Sequence, residues 1–162
     1  MQRSPVQQYV ERMGAALTDA GLPRLPSRVF AALTADDDGR MTSADLSAAL
    51  GISAAAVSGA IKFLTQVGFV HREREHGTRR DVYVVDDDAW HGAMMQKDHA
   101  YTPMLKALDD GIAGLADDSA ARHRLVLMRE YLAFVSAELD GIVERWDVRR
   151  REIEAELRDE RP

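Results

Sequence analysis

The stretch "HREREHGTRRDVYVV", His71 to Val85, gathers Arg72, Arg74, Arg79 and Arg80 around the single glycine Gly77. Guanidinium groups at this density suit one chemistry above others. They bind phosphate through planar, charge-assisted hydrogen bonds. A second set of residues precedes it in "SAAAVSGAIKFLTQVG", where Ser53, Ala54, Ala55, Ser58, Gly59 and Lys62 share one side of a helical pattern. Small residues let the backbone come close to a ligand. The two hydroxyls can donate to phosphates or bases, and the ammonium of Lys62 can reach a phosphate. Arg, Asn and Gln, the usual bidentate base readers, are scarce on this side. Recognition by it therefore leans on alanine contacts with thymine methyls, on duplex shape and on the arginines.

Whole-chain charge hides this footprint. The 162 residues carry a net charge of -6, but residues 1–51 have five arginines against six acids, whereas Lys62 and the four arginines face only Glu73 and Glu75 within residues 52–80. The acidic surplus lies in residues 81–162. Salt screens charges beyond about 8 Å at physiological strength, so a local basic segment matters more to a polyanion than the global sum.

Other chemistries find little support. There are no cysteines, which excludes disulfides, thiolate metal sites and cysteine nucleophiles. The histidines, His71, His76, His91, His99 and His123, show no i, i+4 pair and no H-E-x-x-H. No phosphate-binding glycine loop, nucleophile elbow or paired-carboxylate cleft is visible, so neither an enzyme nor a cofactor is expected. The N-terminus lacks the apolar core of a signal peptide, and no apolar run reaches the roughly 18 residues of a membrane span. A cytoplasmic protein is the expectation.

Helices must carry most of this chain. Val6, Val10, Met13 and Leu17 mark a first helix from Pro5, closed by Gly21 and Pro23. A second starts near Pro26 with Val29, Phe30 and Leu33 as its apolar face, and stops at Asp36-Asp37-Asp38-Gly39. Arg40 and Met41 suit a very short strand. Thr42, with Asp45 three residues on, caps a third helix that buries Leu46, Ala49 and Leu50 and ends at Gly51. Ser53 caps the fourth, with Val57, Ile61 and Leu64 inward and Gly68 closing it. The period then changes to two. Phe69 to Glu75 and Asp81 to Val85 read as strands joined by a five-residue loop. Arg72 and Arg74 share one strand face with Glu73 opposite. Arg79 and Arg80, near the loop tip, and Arg72, nearer the hairpin base, are the expected DNA contacts. Arg74 is assigned to holding the hairpin, against Glu75, Asp81 or another acid.

Asp86 to Asp88 open a further helix on which Trp90, Met94, Tyr101, Leu105, Leu108 and Ile112 follow helical steps, with an interruption expected at Pro103. Leu125, Met128, Leu132, Val135, Leu139, Ile142 and Trp146 then alternate steps of three and four, an a/d seam. Arg149 breaks it and Ile153 and Leu157 resume it. From Ala120 to Arg158 such a helix is roughly 58 Å long, too long for a domain of this size to cover. Its seam reads as a dimer interface, the alternative being an intramolecular hairpin with the helix from Asp86.

The fold class is thus mainly α with a small β-hairpin wing. A winged helix-turn-helix lobe at 24–86 lies between an N-terminal dimerisation helix, 1–22, and a C-terminal helical dimerisation region, 87–162. The run "MTSADLSAALGISAAAVSGAIKFLTQVGFVHREREHGTRRDVYVV" resembles the winged-helix core of the MarR family of bacterial transcriptional regulators. Its "GFVHRER…HGTRRDVY" part is similar to the wing of the GbsR-like branch. "YVERMGAAL" is similar to mycobacterial regulators of lipid-exporting efflux systems. Many MarR proteins carry Asp-x-Arg in the wing. Here Thr78 stands at the Asp position before Arg80, so that salt bridge is either absent or rebuilt through Asp81.

The resemblance implies a homodimer on a pseudo-palindromic stretch of double-stranded DNA, acting as a repressor released by a small lipophilic or aromatic effector. It places the effector where dimer helices meet the DNA-binding lobe. Met13, Leu17, Phe30, Trp90, Met94 and Tyr101 are the candidate lining residues, with core packing as the plainer role for each. The competing function is a winged helix that binds protein rather than DNA.

Overall fold

Ser4 opens the first helix. Its hydroxyl accepts the amide of Gln7 at 3.2 Å, and the Gln7 carboxamide accepts the amide of Ser4 at 3.1 Å. This reciprocal cap satisfies donors that a helix start leaves over. The computed structural model describes residues 4–74, 80–95 and 97–159, with backbone alone at 92, 94, 95 and 97–100.

Helix α1, Pro5–Asp19, buries Val10, Gly14 and Leu17. Helix α2, Arg24–Thr34, begins earlier than Pro26 suggested, with Pro23 as its extended N-cap. Pro26 falls in the first turn, where a missing amide costs no helical hydrogen bond. The two helices approach closely at Gly14, whose added Cβ would lie 3.0 Å from Cγ of Arg28. Strand β1, Arg40–Thr42, leads directly into helix α3, Ser43–Leu50. The expected cap is present: Thr42 accepts from the Asp45 amide at 3.2 Å, and Asp45 accepts from the Thr42 amide at 2.9 Å. Only Leu46 of α3 is fully buried. Leu50 is half-buried and Ala49 is exposed, against expectation, because an eight-residue helix packed on one side buries little more than one residue per turn.

Gly51 adopts the left-handed conformation, φ 65°, that ends α3 and turns the chain within three residues into helix α4, Ala54–Gln66. Residues with a Cβ reach that region at a cost. The axes of α3 and α4 differ by 110°, within the usual range of a helix-turn-helix. Val57, Ala60, Ile61 and Leu64 are buried, each larger side chain contributing about 1.5–3 kcal/mol by leaving water. With Phe30, Leu33 and Leu46 they form the core of this lobe.

Strands β2, His71–Arg74, and β3, Asp81–Val84, are shorter than the sequence suggested. The amide of Phe69 is spent on the carbonyl of Leu64 at 3.0 Å, closing α4 rather than starting a ladder. The sheet also has a third strand. Its order is β1-β3-β2, all antiparallel, so β1 pairs with the returning arm of the hairpin. At that junction Gly39, φ 63°, passes so close to Val85 that an added Cβ would lie 2.9 Å from the Val85 carbonyl oxygen.

Helix α5, Ala89–Met95, and helix α6, Lys97–Ala113, carry the helical pattern expected from Asp86, and residue 96 lies outside the described residues. Pro103 lies inside α6, exposed, where water can take up the carbonyl it leaves without a donor. Helix α7 is uninterrupted from Ala120 to Asp159. Ser119 caps it, accepting the amide of Arg122 at 3.0 Å.

The chain forms two compact units, residues 1–93 and 94–162. In the second, α6 folds back on the first half of α7. Gly111 faces Leu125, and Arg129 donates to Asp109 at 3.1 Å. The intramolecular hairpin weighed from sequence is therefore real for that half, yet it leaves no residue of α7 fully buried. Of the expected seam, Leu125, Leu132, Val135 and Leu139 are half-covered while Met128, Ile142 and Trp146 are exposed. Leu127, Tyr131 and Phe134, outside that seam, add a second exposed apolar row. A Cβ on Gly111 would sit 3.1 Å from Cδ1 of Leu125. Gly111→Val should therefore destabilise the hairpin by about 1–3 kcal/mol through overpacking. A thermal melt no lower than that of the native chain would refute this close approach. Among the described residues no single helix is long and apolar enough to cross a membrane.

Candidate nucleic-acid interface

The buried stripe of α4 dictates its outward one. With Val57, Ala60, Ile61 and Leu64 inward, Ala54, Ala55, Ser58, Gly59 and Lys62 are all exposed, as is Ser53 before them. Ser53 Oγ accepts the amide of Ala56 at 3.2 Å. That bond uses an oxygen lone pair and leaves the hydroxyl proton for a phosphate or base. Nothing lies within 4 Å of a Cβ added to Gly59. No packing inside the protein explains a glycine in mid-helix, where it costs about 1 kcal/mol relative to alanine.

The wing is fastened to the lobe by charge. Arg40 of β1 donates to Glu73 of β2 at 2.6 Å, across the central strand. Glu73 Oε1 also lies 3.1 Å from His71 Nε2, whose Nδ1 is 3.5 Å from Asp86. Arg40 first, and His71 after it, hold the Glu73 carboxyl below its ordinary range. Asp45 is also lowered, chiefly by its bonds to Thr42, with the positive field of Arg80 adding to them. Arg80, exposed, thus brings positive charge to the first turn of α3.

Arg72 and Arg74 are exposed on one strand face, with Glu73 on the other. The hairpin ion pair falls on Arg72, whose Nε is 3.2 Å from Asp81 Oδ1. Arg74, to which sequence reasoning gave that part, has no ion pair among the described residues, although it stands directly across from Asp81. The longer diagonal reach suits the Arg72 side chain. A pair this exposed contributes at most about 1 kcal/mol, so Arg72 can exchange Asp81 for a phosphate. Arg79, with Glu75 to Thr78, lies outside the described residues.

The six candidate effector residues are scattered in character. Leu17 and Phe30 are core, Met13 is half-buried against it, and Tyr101 is half-buried in the second unit. Trp90 is 52% exposed and stacks edge-on with Phe30 at 5.9 Å and Phe69 at 4.9 Å. The side chain of Met94 lies outside the description. Phe69 was missed because it was read as a strand residue. It completes the aromatic cluster, 5.0 Å from Phe30. Among the described residues no three His, Asp or Glu side chains are grouped to hold a metal ion.

A 110° helix pair, an outward helix of small residues and a three-stranded wing with arginines define a winged helix-turn-helix of the DNA-binding type. Comparison with known proteins agrees. A MarR family model matches residues 20–81, and a model of MmpR5-like MarR family transcriptional regulators matches residues 88–151. The chain belongs to the MarR family of transcriptional regulators. The HTH-type transcriptional regulator MmpR5 of Mycobacterium tuberculosis is 28% identical over 145 residues, 89% of this chain and 88% of that protein. A crystal structure of a transcriptional regulator superposes with a TM-score of 0.80 at 27% identity, over 89% of this chain and 99% of that one. These relatives are regulators, not enzymes.

Proposed function

We propose that this regulator is a cytoplasmic homodimer that reads a pseudo-palindromic operator and represses until a small lipophilic or aromatic effector binds. The carrying observation is the face of Ser53, Ala54, Ala55, Ser58, Gly59 and Lys62. All of it is exposed, and its one mid-helix glycine serves no internal packing. Such a helix enters a major groove, while Arg72, Arg79 and Arg80 of the wing follow the backbone or the adjacent minor groove. The uncovered rows of α7 support the second copy, since contiguous apolar surface of this kind marks an interaction site. The 1–22 and 87–162 segments are the dimerisation regions in this reading, and 24–86 is the DNA-binding lobe. The wing sequence supports a GbsR-like ancestry. Trp90, with Phe30 behind it, is the centre of the effector region proposed, and Met13, Leu17, Met94 and Tyr101 remain its further candidates from the sequence.

A gel shift over the protein's own upstream DNA at two salt concentrations tests the core of this reading. Phosphate contacts release counterions, so affinity should fall about 10³-fold or more between 50 and 200 mM salt if about six phosphates are engaged. Absence of binding at low salt would favour the protein-binding alternative. Arg79→Ala combined with Arg80→Ala should lower affinity by about tenfold or more and flatten the salt slope by about two. Dimerisation should be unchanged. An unaltered shift would remove the wing from the interface.

A further inference from the structure

Glu73 is a carboxylate on β2, flanked in sequence by Arg72 and Arg74. At long range it opposes the phosphates that those arginines would meet. Register shows what it holds. In the order β1-β3-β2, Arg40 and His71 both stand beside Val84, while Thr42 and Glu73 both stand beside Val82. Residues paired in this way share a face of the sheet. Arg40, His71, Glu73, Val82 and Val84 are therefore on one face, and Met41, Arg72 and Tyr83 on the other. Strands lie about 4.8 Å apart, so β1 and β2 are separated by roughly twice that. The 2.6 Å bond from Arg40 to Glu73 spans this gap and passes over β3. Val82 and Val84, on the same face of β3, are buried, although both stand apart from the core cluster of the lobe.

The bridge ties the far edge of the sheet to the lobe. Strand β2 is hydrogen-bonded to β3 on one side, whereas β1 runs straight into α3. His71 adds a second tie, with Glu73 3.1 Å from its Nε2 and Asp86, just beyond β3, 3.5 Å from its Nδ1. Side chains alternate along a strand, so holding His71 and Glu73 on one face sends Arg72 out of the other. The stability gained is small. Arg40 and Glu73 each keep 41% of their side-chain surface exposed, and pairs this open to water contribute little to folding. What the bridge fixes is the path of the strand that carries Arg72, whose own ion pair with Asp81 is exposed and exchangeable.

We propose that Arg40 and Glu73 are positioning residues for DNA binding, their bridge holding β2 so that Arg72 meets the duplex backbone. This rests on the reading of the wing as a DNA contact. It makes a carboxylate on the wing favourable to DNA binding, against the sign of its own charge.

A double-mutant cycle on the full chain tests this, read by fluorescence anisotropy on a duplex of the protein's own upstream DNA. Charge alone predicts that Glu73→Gln tightens binding, that Arg40→Gln loosens it, and that the two factors multiply in the double variant. A positioning bridge adds a coupling. Glu73→Gln should be about fivefold more favourable, for each wing engaged, in the Arg40→Gln background than in the native chain, the contribution of one well-formed exposed ion pair. Exchanging the pair, Arg40→Glu with Glu73→Arg, rebuilds a bridge at constant net charge. That variant should bind within about twofold of the native chain. In an Arg72→Ala background the coupling should disappear, which a bridge serving stability alone would not produce. With native binding intact, three results would each overturn the proposal. They are factors that simply multiply, an exchanged pair as weak as Arg40→Gln, and a coupling that persists without Arg72. A native chain that binds no DNA would instead remove the reading on which the proposal rests, and the proposal with it.

Discussion

Gly59→Leu should make the protein more stable and a poorer DNA binder. Leucine is among the better helix formers and glycine among the worst, so the folded state gains about 0.5–1 kcal/mol. The fold has room for it, since no atom stands within 4 Å of the position a Cβ would take. The loss arises in the complex. Gly59 lies on the exposed side of α4 beside Ala55 and Ser58. A branched side chain there holds the helix axis away from the groove floor and disturbs neighbouring contacts. Losing the equivalent of one good base contact costs about 1–3 kcal/mol, or roughly 5- to 150-fold in affinity. Gly59→Ala separates size from backbone freedom: it should gain similar stability and keep most of the affinity. Denaturant melts and fluorescence anisotropy on one duplex measure both. If Gly59→Leu binds as tightly as the native chain, α4 does not lie in a groove.

The opposite signs expected for stability and binding bear on what the sequence could disclose. The lobe was legible because its signals are local. Thr42 with Asp45, Ser53, Gly51 and Gly68 set helix ends through bonds within a few residues, and each is found in that role. The inward stripe Val57, Ile61 and Leu64 follows from helical period alone, and the outward face is its complement. Pairings made across the sheet were less legible. The partnership of β1 with β3, and hence the Arg40–Glu73 bridge, depends on register between segments some forty residues apart. The pairing of Arg72 with Asp81 depends on a diagonal reach that strand alternation does not encode. Ala49 was misplaced for a related reason. Helical period gave it a direction, but the neighbours of α3 decide how wide a stripe is covered. On α7 the heptad rule selected one row, whereas Leu127, Tyr131 and Phe134 form another that the rule does not mark.

Phe30→Ala should be the most damaging single truncation in the first unit. The ring is 1% exposed and sits at the centre of the lobe core. It is also the hidden member of the aromatic cluster, 5.0 Å from Phe69 and 5.9 Å from Trp90. Removing a buried phenyl costs about 3–5 kcal/mol through lost burial and the cavity left behind. That is a large part of the roughly 5–15 kcal/mol by which a protein is stable. The melting temperature of a unit of this size should fall by about 12 °C or more. This has a consequence for assigning an effector site. Loss of effector response in Phe30→Ala cannot separate a ligand contact from a loosened lobe. Trp90→Ala can, because half of that side chain already faces outward and its truncation removes less packing. Trp90→Ala should therefore melt closer to the native chain than Phe30→Ala does and, if the effector is aromatic, lose its release from DNA. Equal melting losses in the two variants would show Trp90 to be as structural as Phe30, and would move the effector region away from this cluster.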